Sequence, residues 1–211
     1  MRQSLERYIN LEKTEVLRAN KIKAMQGLLK ASDTEPPLIL SEIQAFVQEK
    51  ELRQPVFEKL IYPVLAAGVE AGDINSIKLM VRLIDYLYTY QSRRKEWKYD
   101  SADLIRAGLQ LNPLDNELLN RKYDSAVRFL LFSIHEVPWG VLSRNSGANE
   151  EECYKLLEYT NEFEKLSQSL GKDDAELLAE CRYYYRSYAA YQAERDSYQN
   201  FAAYLAQHLQ Q

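Results

Sequence analysis

Apolar residues recur three and four positions apart along almost the whole chain, the spacing that gathers them on one face of an α-helix. The pattern runs from Leu5 and Ile9 near the start to Leu177, Cys181, Tyr184, Tyr188 and Tyr191 near the end. Seven glycines and six prolines in 211 residues fall well below the usual share of about 12 %. A chain with so few turn formers has few tight turns, which argues against a many-stranded sandwich or barrel. The pattern therefore predicts an all-α fold, an irregular helical bundle or short α-solenoid of about eight antiparallel helices.

The punctuation places them. A first helix covers 3–30, with Leu5, Ile9, Val16, Ile22, Met25, Leu28 and Leu29 inward; the polar stretch 12–20 is where it would break. Pro36 and Pro37 close a linker, and a second helix covers 37–48. The third, 55–71, opens on Pro55 and should kink at Pro63. Gly72 suits the residue past a helix end and Asp73 an N-cap, so a fourth helix follows over 74–91. A fifth covers 101–108. Asp115 caps a sixth over 116–135, which Pro138 and Gly140 end. The seventh covers 150–170. After Gly171, with Asp173 as its cap, the eighth runs 174–209 along one seam that only Arg195 interrupts. A single all-helical domain, 1–211, is expected, with subdivisions at 1–36, 37–142 and 149–211.

The short links make antiparallel hairpins. The junctions Gly72-Asp73-Ile74 and Leu111-Asn112-Pro113 resemble those of tetratricopeptide-type α-solenoids over about residues 55–135. That resemblance implies a helical-repeat architecture and carries over no binding residues.

No apolar run approaches the roughly 18 residues of a membrane span. The charged N-terminal stretch 1–13 lacks the apolar core of a signal peptide. Cys153 and Cys181 form no Cys-x-x-Cys pair, so buried free thiols in a cytoplasmic protein are expected. Site motifs are absent. The residues three before His135 and His208 are Phe132 and Leu205, which excludes the paired Glu-x-x-His of a di-metal bundle. His135-Glu136 is followed by Val137, Pro138 and Trp139, so no His-Glu-x-x-His is present. The glycine spacing fits neither a P-loop nor a dinucleotide fingerprint, and no serine sits in a Gly-x-Ser-x-Gly frame. A spatial Cys153–His135 pair stays open. No catalytic residue, metal or cofactor is expected.

Charge is uneven. Residues 1–110 carry 17 basic and 15 acidic side chains, a net of +2, and residues 111–211 carry 10 and 16, a net of −6. Residues 149–180 hold ten carboxylates against Lys155, Lys165 and Lys172. Such a surface repels nucleic acid and attracts a basic partner. Nine of the sixteen tyrosines lie from Tyr154 onward. Tyr183-Tyr184-Tyr185 sweeps about 200° of helix, so at least one must leave the core, and tyrosine suits interfaces. His135-Glu136-Val137-Pro138-Trp139-Gly140 joins a helix end to an aromatic anchor. Arg93-Arg94-Lys95-Glu96-Trp97-Lys98-Tyr99 mixes cations with aromatics, as a base-stacking loop would. With no other basic stripe in support, it reads as a solvated link.

In composition and architecture the chain resembles the all-helical immunity proteins of bacterial contact-dependent and polymorphic toxin systems. The likeness is one of general character. It implies a non-enzymatic protein that binds a basic toxin domain such as a nuclease. The residues expected to touch that partner are Glu151, Glu158, Glu162, Asp173 and Asp174, with Tyr183, Tyr185, Trp139 and His135 as anchors. The alternative is a helical-repeat adaptor that holds a peptide or protein in a groove.

Overall fold

A computed structural model describes residues 2–49, 53–83, 99–139 and 148–208. The fold is all-α: among the described residues there are ten helices and no strand. The two helices beyond the expected eight come from breaks in the first and the last. None of the described helices is long and apolar enough to cross a membrane. The chain divides into two compact units, Met1–Leu118 and Leu119–Gln211.

The first unit opens with α1 (Arg2–Thr14) and α2 (Arg18–Ala31). The predicted single helix breaks at 15–17 because local groups satisfy the freed backbone. The Thr14 hydroxyl donates to the Asn10 carbonyl at 2.8 Å, and the Glu15 carboxylate accepts from the Leu17 N–H at 2.9 Å and the Asn20 amide at 2.8 Å. The turn leaves Val16 90 % exposed, which corrects its inward placement. It also folds α2 back, so that Leu28 shares a core with Leu5 and Tyr8.

α3 (Leu40–Glu49) follows. Gln54–Val56, a π-helical turn Phe57–Ile61 and Tyr62–Glu70 then run on as α4 (54–70). The expected disturbance at Pro63 takes the form of that wider turn, in which the Tyr62 N–H reaches back to the Phe57 carbonyl. Pro63 has no N–H to give and its ring crowds the preceding turn. The extra residue per turn lets Phe57, Leu60 and Ile61 all face the core.

Gly72 takes φ +72°, and the Asp73 carboxylate accepts from the Asn75 and Ser76 N–H groups at the start of α5 (Ile74–Arg82). The rest of the expected 74–91 helix and residues 93–98 of the basic loop lie outside the described residues. α6 (Ser101–Leu111) ends one turn later than Gly108. Asp115 then caps α7 (Asn116–Glu136), accepting from the Glu117 and Leu118 N–H groups at 3.1 Å. Two glycines set how closely these helices meet. A Cβ on Gly68 would collide with the Ser76 side chain, and one on Gly108 with the side chains of Leu118 and Ile77. Leu65, Ile77, Met80, Leu104 and Leu118 are fully buried around them.

Several charges of this unit pair between segments distant in sequence. Arg53 grips both oxygens of the Glu12 carboxylate, and Lys59 meets Asp33 at 2.8 Å. Lys78 reaches Asp115 at 3.0 Å and Glu117 at 3.1 Å, while Arg82 takes Glu117 through two guanidinium nitrogens.

The unit boundary falls inside α7. In the second unit, α7 passes into a single 3-10 turn, Val137–Trp139. α8 (Glu150–Ser169) and α9 (Ala175–Ala193) form a long hairpin, and α10 (Phe201–His208) closes the unit. The eighth predicted helix is thus two. α9 stops at Ala193 and a 3-10 turn spans Arg195–Ser197. The Asn200 side chain then caps the new start by accepting from the Ala203 N–H at 2.9 Å. Fold-back is favoured by aromatic packing. In an unbroken helix Tyr188 and Phe201 would lie about 20 Å apart. Here their ring centroids are 4.8 Å apart, edge to face, and Phe201 also meets Tyr184 at 5.3 Å and Tyr191 at 5.5 Å.

Candidate protein-binding surface

The α8–α9 hairpin carries most of the residues that the sequence marks for partner binding, and its two ends are built from local chemistry. Asn149 and Glu152 form a reciprocal capping box, the Asn149 side chain accepting from the Glu152 N–H and the Glu152 carboxylate from the Asn149 N–H, both at 2.9 Å. At the tip Gly171 takes φ +64°, which lets the Lys172 N–H return to the Ser167 carbonyl at 3.0 Å. Arg182 bridges the two helices, donating to Glu164 at 2.7 Å and to the Asn161 side chain at 3.0 Å. That hydrogen bond holds the Glu164 carboxyl below its usual range.

The expected contact residues separate into different roles. Glu158 and Glu162 are exposed on α8 and enter no ion pair among the described residues. Glu176 and Glu180 on α9 are in the same state, and Lys165 on α8 and Arg186 on α9 are exposed cations without an ion pair among the described residues. Glu151 is exposed but paired with Lys155 one turn on, at 2.6 Å. Asp173 is exposed and accepts from the Ala175 N–H at 3.3 Å. Asp174 is half-buried and turned inward. It accepts from the Tyr123 hydroxyl at 2.9 and 3.0 Å and from the Ser167 hydroxyl at 2.5 Å, which fastens the hairpin tip to α7.

Tyr183 stands 48 % exposed, whereas Tyr185 is 0 % exposed. Tyr185 is therefore a core residue and not a surface anchor: its hydroxyl is bonded to Ser133, whose own O–H goes to the Leu130 carbonyl at 3.0 Å. Burial raises the Tyr185 pKa further above the ordinary tyrosine value. His135 is exposed in the last turn of α7. The Trp139 backbone lies in the 3-10 turn, and its side chain is outside the described residues.

Beside the acidic stripe, α7 and α8 border an apolar cleft of about 500 Å³ lined by Phe129, Ala148, Glu152, Lys155, Leu156 and Tyr159. Phe129 and Tyr159 meet edge to face at 5.1 Å. Burial, and after it the Glu162 charge, raises the Tyr159 pKa above the ordinary tyrosine value. No motif announced this cleft. The capping box that positions Glu152 was legible as Asn149-x-x-Glu152, but the partners of Asp174 were not, since Tyr123 and Ser167 belong to two other segments.

Both cysteines are fully buried, and burial first of all pushes each thiol up to about 11. They stay protonated at neutral pH and are poor nucleophiles. Among the described residues no group of His, Cys, Asp and Glu side chains is arranged to hold a metal ion. Comparison of the chain with known protein families, with curated proteins and with solved structures returns no match.

Proposed function

We propose that the chain is a non-enzymatic protein-binding protein of the cytoplasm, most concretely an acidic immunity protein that binds and neutralises a basic toxin domain such as a nuclease. The observation that supports this is the contrast in how carboxylates are used. Glu158, Glu162, Glu176 and Glu180 stand exposed and unpaired on a capped, cross-braced hairpin, while across the first unit Glu12, Asp33, Asp115 and Glu117 are matched to cations on other helices. An excess of unpaired surface charge of one sign, here four carboxylates against Lys165 and Arg186, speeds encounter with an oppositely charged partner and sets its orientation. The neighbouring cleft offers a seat for an apolar side chain of that partner, the arrangement in which interface energy concentrates. Tyr183 supplies an exposed aromatic on the same hairpin.

The test is capture of the tagged chain's partner from the lysate of its native host at low and high salt. A variant with Glu158, Glu162, Glu176 and Glu180 all changed to Gln is run beside it. The expected result is one basic protein in stoichiometric amount, held by the parent chain and lost by the variant, whose nuclease activity falls when the parent chain is added. Equal retention by both would overturn the acidic-surface reading. It would favour the second one, a helical-repeat adaptor, which draws support from the close helix approaches at Gly68 and Gly108.

A further inference from the structure

Three of the second unit's four exposed large apolar side chains lie on α7 and α8: Leu131, Phe132 and Tyr154, at 49, 46 and 53 % exposure. The two helices are antiparallel neighbours. Tyr123 meets Phe163 at 5.5 Å, and six residues on Phe129 meets Tyr159, four residues back, at 5.1 Å. In that register Leu131 and Phe132 stand level with Tyr154. Phe132 is one turn on from Phe129, which lines the apolar cleft with Leu156 and Tyr159. A cluster of large apolar side chains left in water beside an open apolar cleft marks an interaction surface.

Charge says what covers it. From residue 119 on, the exposed charges of α7 are Arg121, Lys122 and Arg128 against Asp124, a net of +2. Those of α8 are Glu150, Glu151, Glu158 and Glu162 against Lys155 and Lys165, a net of −2. Arg128 donates to the Asp124 carbonyl at 3.2 Å and enters no ion pair among the described residues. The register sets it level with Glu158, which is equally unpaired. A basic helix beside an acidic one, with an apolar cleft between them, is its own complement. A two-fold axis running along the groove lays α7 of each copy over α8 of the other, and every residue keeps its level. Arg128 then meets Glu158 of the second copy, and Phe132 comes over the second copy's cleft at Leu156.

We infer that α7 and α8 form a two-fold interface between two copies of this chain, with Phe132 of each copy seated in the cleft of the other and Arg128 paired to Glu158 across the axis. The inference does not rest on the toxin reading and is tested on the chain alone. Both readings use Glu158 and the cleft, so a basic partner would have to displace the second copy.

The test is sedimentation equilibrium of the full chain from about 1 to 100 μM. The expected result is a monomer–dimer equilibrium within that range. Phe132→Asp should leave a monomer with the helical circular dichroism unchanged. Arg128→Glu and Glu158→Arg should each raise the dissociation constant about tenfold or more, since each sets like charges together on both sides of the axis. Mixed in equal amounts, those two variants should recover the parent's dimer, because every pair across the axis is again of opposite sign. A monomer at about 100 μM, a dimer indifferent to Phe132→Asp, or a mixture no more associated than either charge variant alone would each overturn the inference.

Discussion

The two units are held together by different physics. In the first, an aliphatic core is framed by ion pairs that cross from helix to helix: Arg53 to Glu12, Lys59 to Asp33, Lys78 and Arg82 to Asp115 and Glu117. In the second, Tyr185, Tyr188, Tyr191, Phe201 and Tyr204 make an aromatic core with polar hydroxyls inside it, and Arg182–Glu164 is the braced pair of the hairpin. In the first unit Glu12, Asp33, Asp115 and Glu117 are each matched to a cation from another segment; in the second, Glu158, Glu162, Glu176 and Glu180 face water. A surface that is internally neutralised resists strangers, whereas an unneutralised one is available to them. The same contrast says where each unit should fail.

The largest effect is expected at the aromatic junction. Phe201→Ala should cost about 3–5 kcal/mol, since its ring lies within 6.2 Å of the centroids of Tyr188, Tyr191 and Tyr204. Urea unfolding followed by circular dichroism measures it, and hydrogen exchange should place the loss in α9 and α10. A cost under about 1 kcal/mol would mean that α10 is not part of this core.

The two helix glycines give the next test. Gly108→Val should destabilise by about 1–3 kcal/mol, because its side chain must enter the space of Leu118 and Ile77. Gly27→Ala should do the reverse, adding about 1 kcal/mol from helix propensity, since nothing obstructs it. Thermal melts of the two variants should therefore move in opposite directions. Tyr185→Phe removes one buried hydrogen bond, to Ser133, and should cost about 1 kcal/mol in the same urea assay.

Acid should separate the units. Burial works against ionising Glu12, but the hydrogen bonds and charge of Arg53 prevail and hold its carboxyl below the usual value. Glu117 is lowered by its bonds to Arg82 and Lys78, and Asp115 is lowered by Lys78 despite its own burial. A carboxylate with a depressed folded-state pKa adds stability that is complete above the unfolded value of roughly 4 and disappears as pH falls through the folded one. The first unit should thus lose hydrogen-exchange protection as pH falls below about 4, before α8 and α9 do. Glu12→Gln should flatten that pH dependence. The smallest effect belongs to Glu151→Gln. Its pair with Lys155 is wholly in solvent, where such pairs contribute little, and the melting temperature should not move measurably.

The glycines show how the sequence could and could not be read. Gly72 and Gly171 were legible as helix ends from their neighbours alone, and both take positive φ. Gly68 and Gly108 precede the same kind of junction, but nothing nearby in sequence says that Ser76 and Leu118 will press against them. The tyrosine triplet is similar. Helical geometry requires that Tyr183, Tyr184 and Tyr185 point apart, and so at least one had to be exposed. That Tyr183 is outside and Tyr185 at the centre depends on where α7 packs. The acidic window was visible as composition, yet the division among Glu158 and Glu162, free, Glu151, paired, and Asp174, half-buried and bonded to Tyr123 and Ser167 at the hairpin tip, was not.

What the sequence determined by itself is the helical class, most helix ends, and the caps at Asp73 and Asp115, because each depends on residues within one turn of chain. Only the tertiary structure decided that the last predicted helix folds back on itself, that Tyr185 bonds Ser133, and which carboxylates find cations. Those outcomes are set by side chains tens of residues apart, and local preference carries no information about which distant surface a helix face will meet.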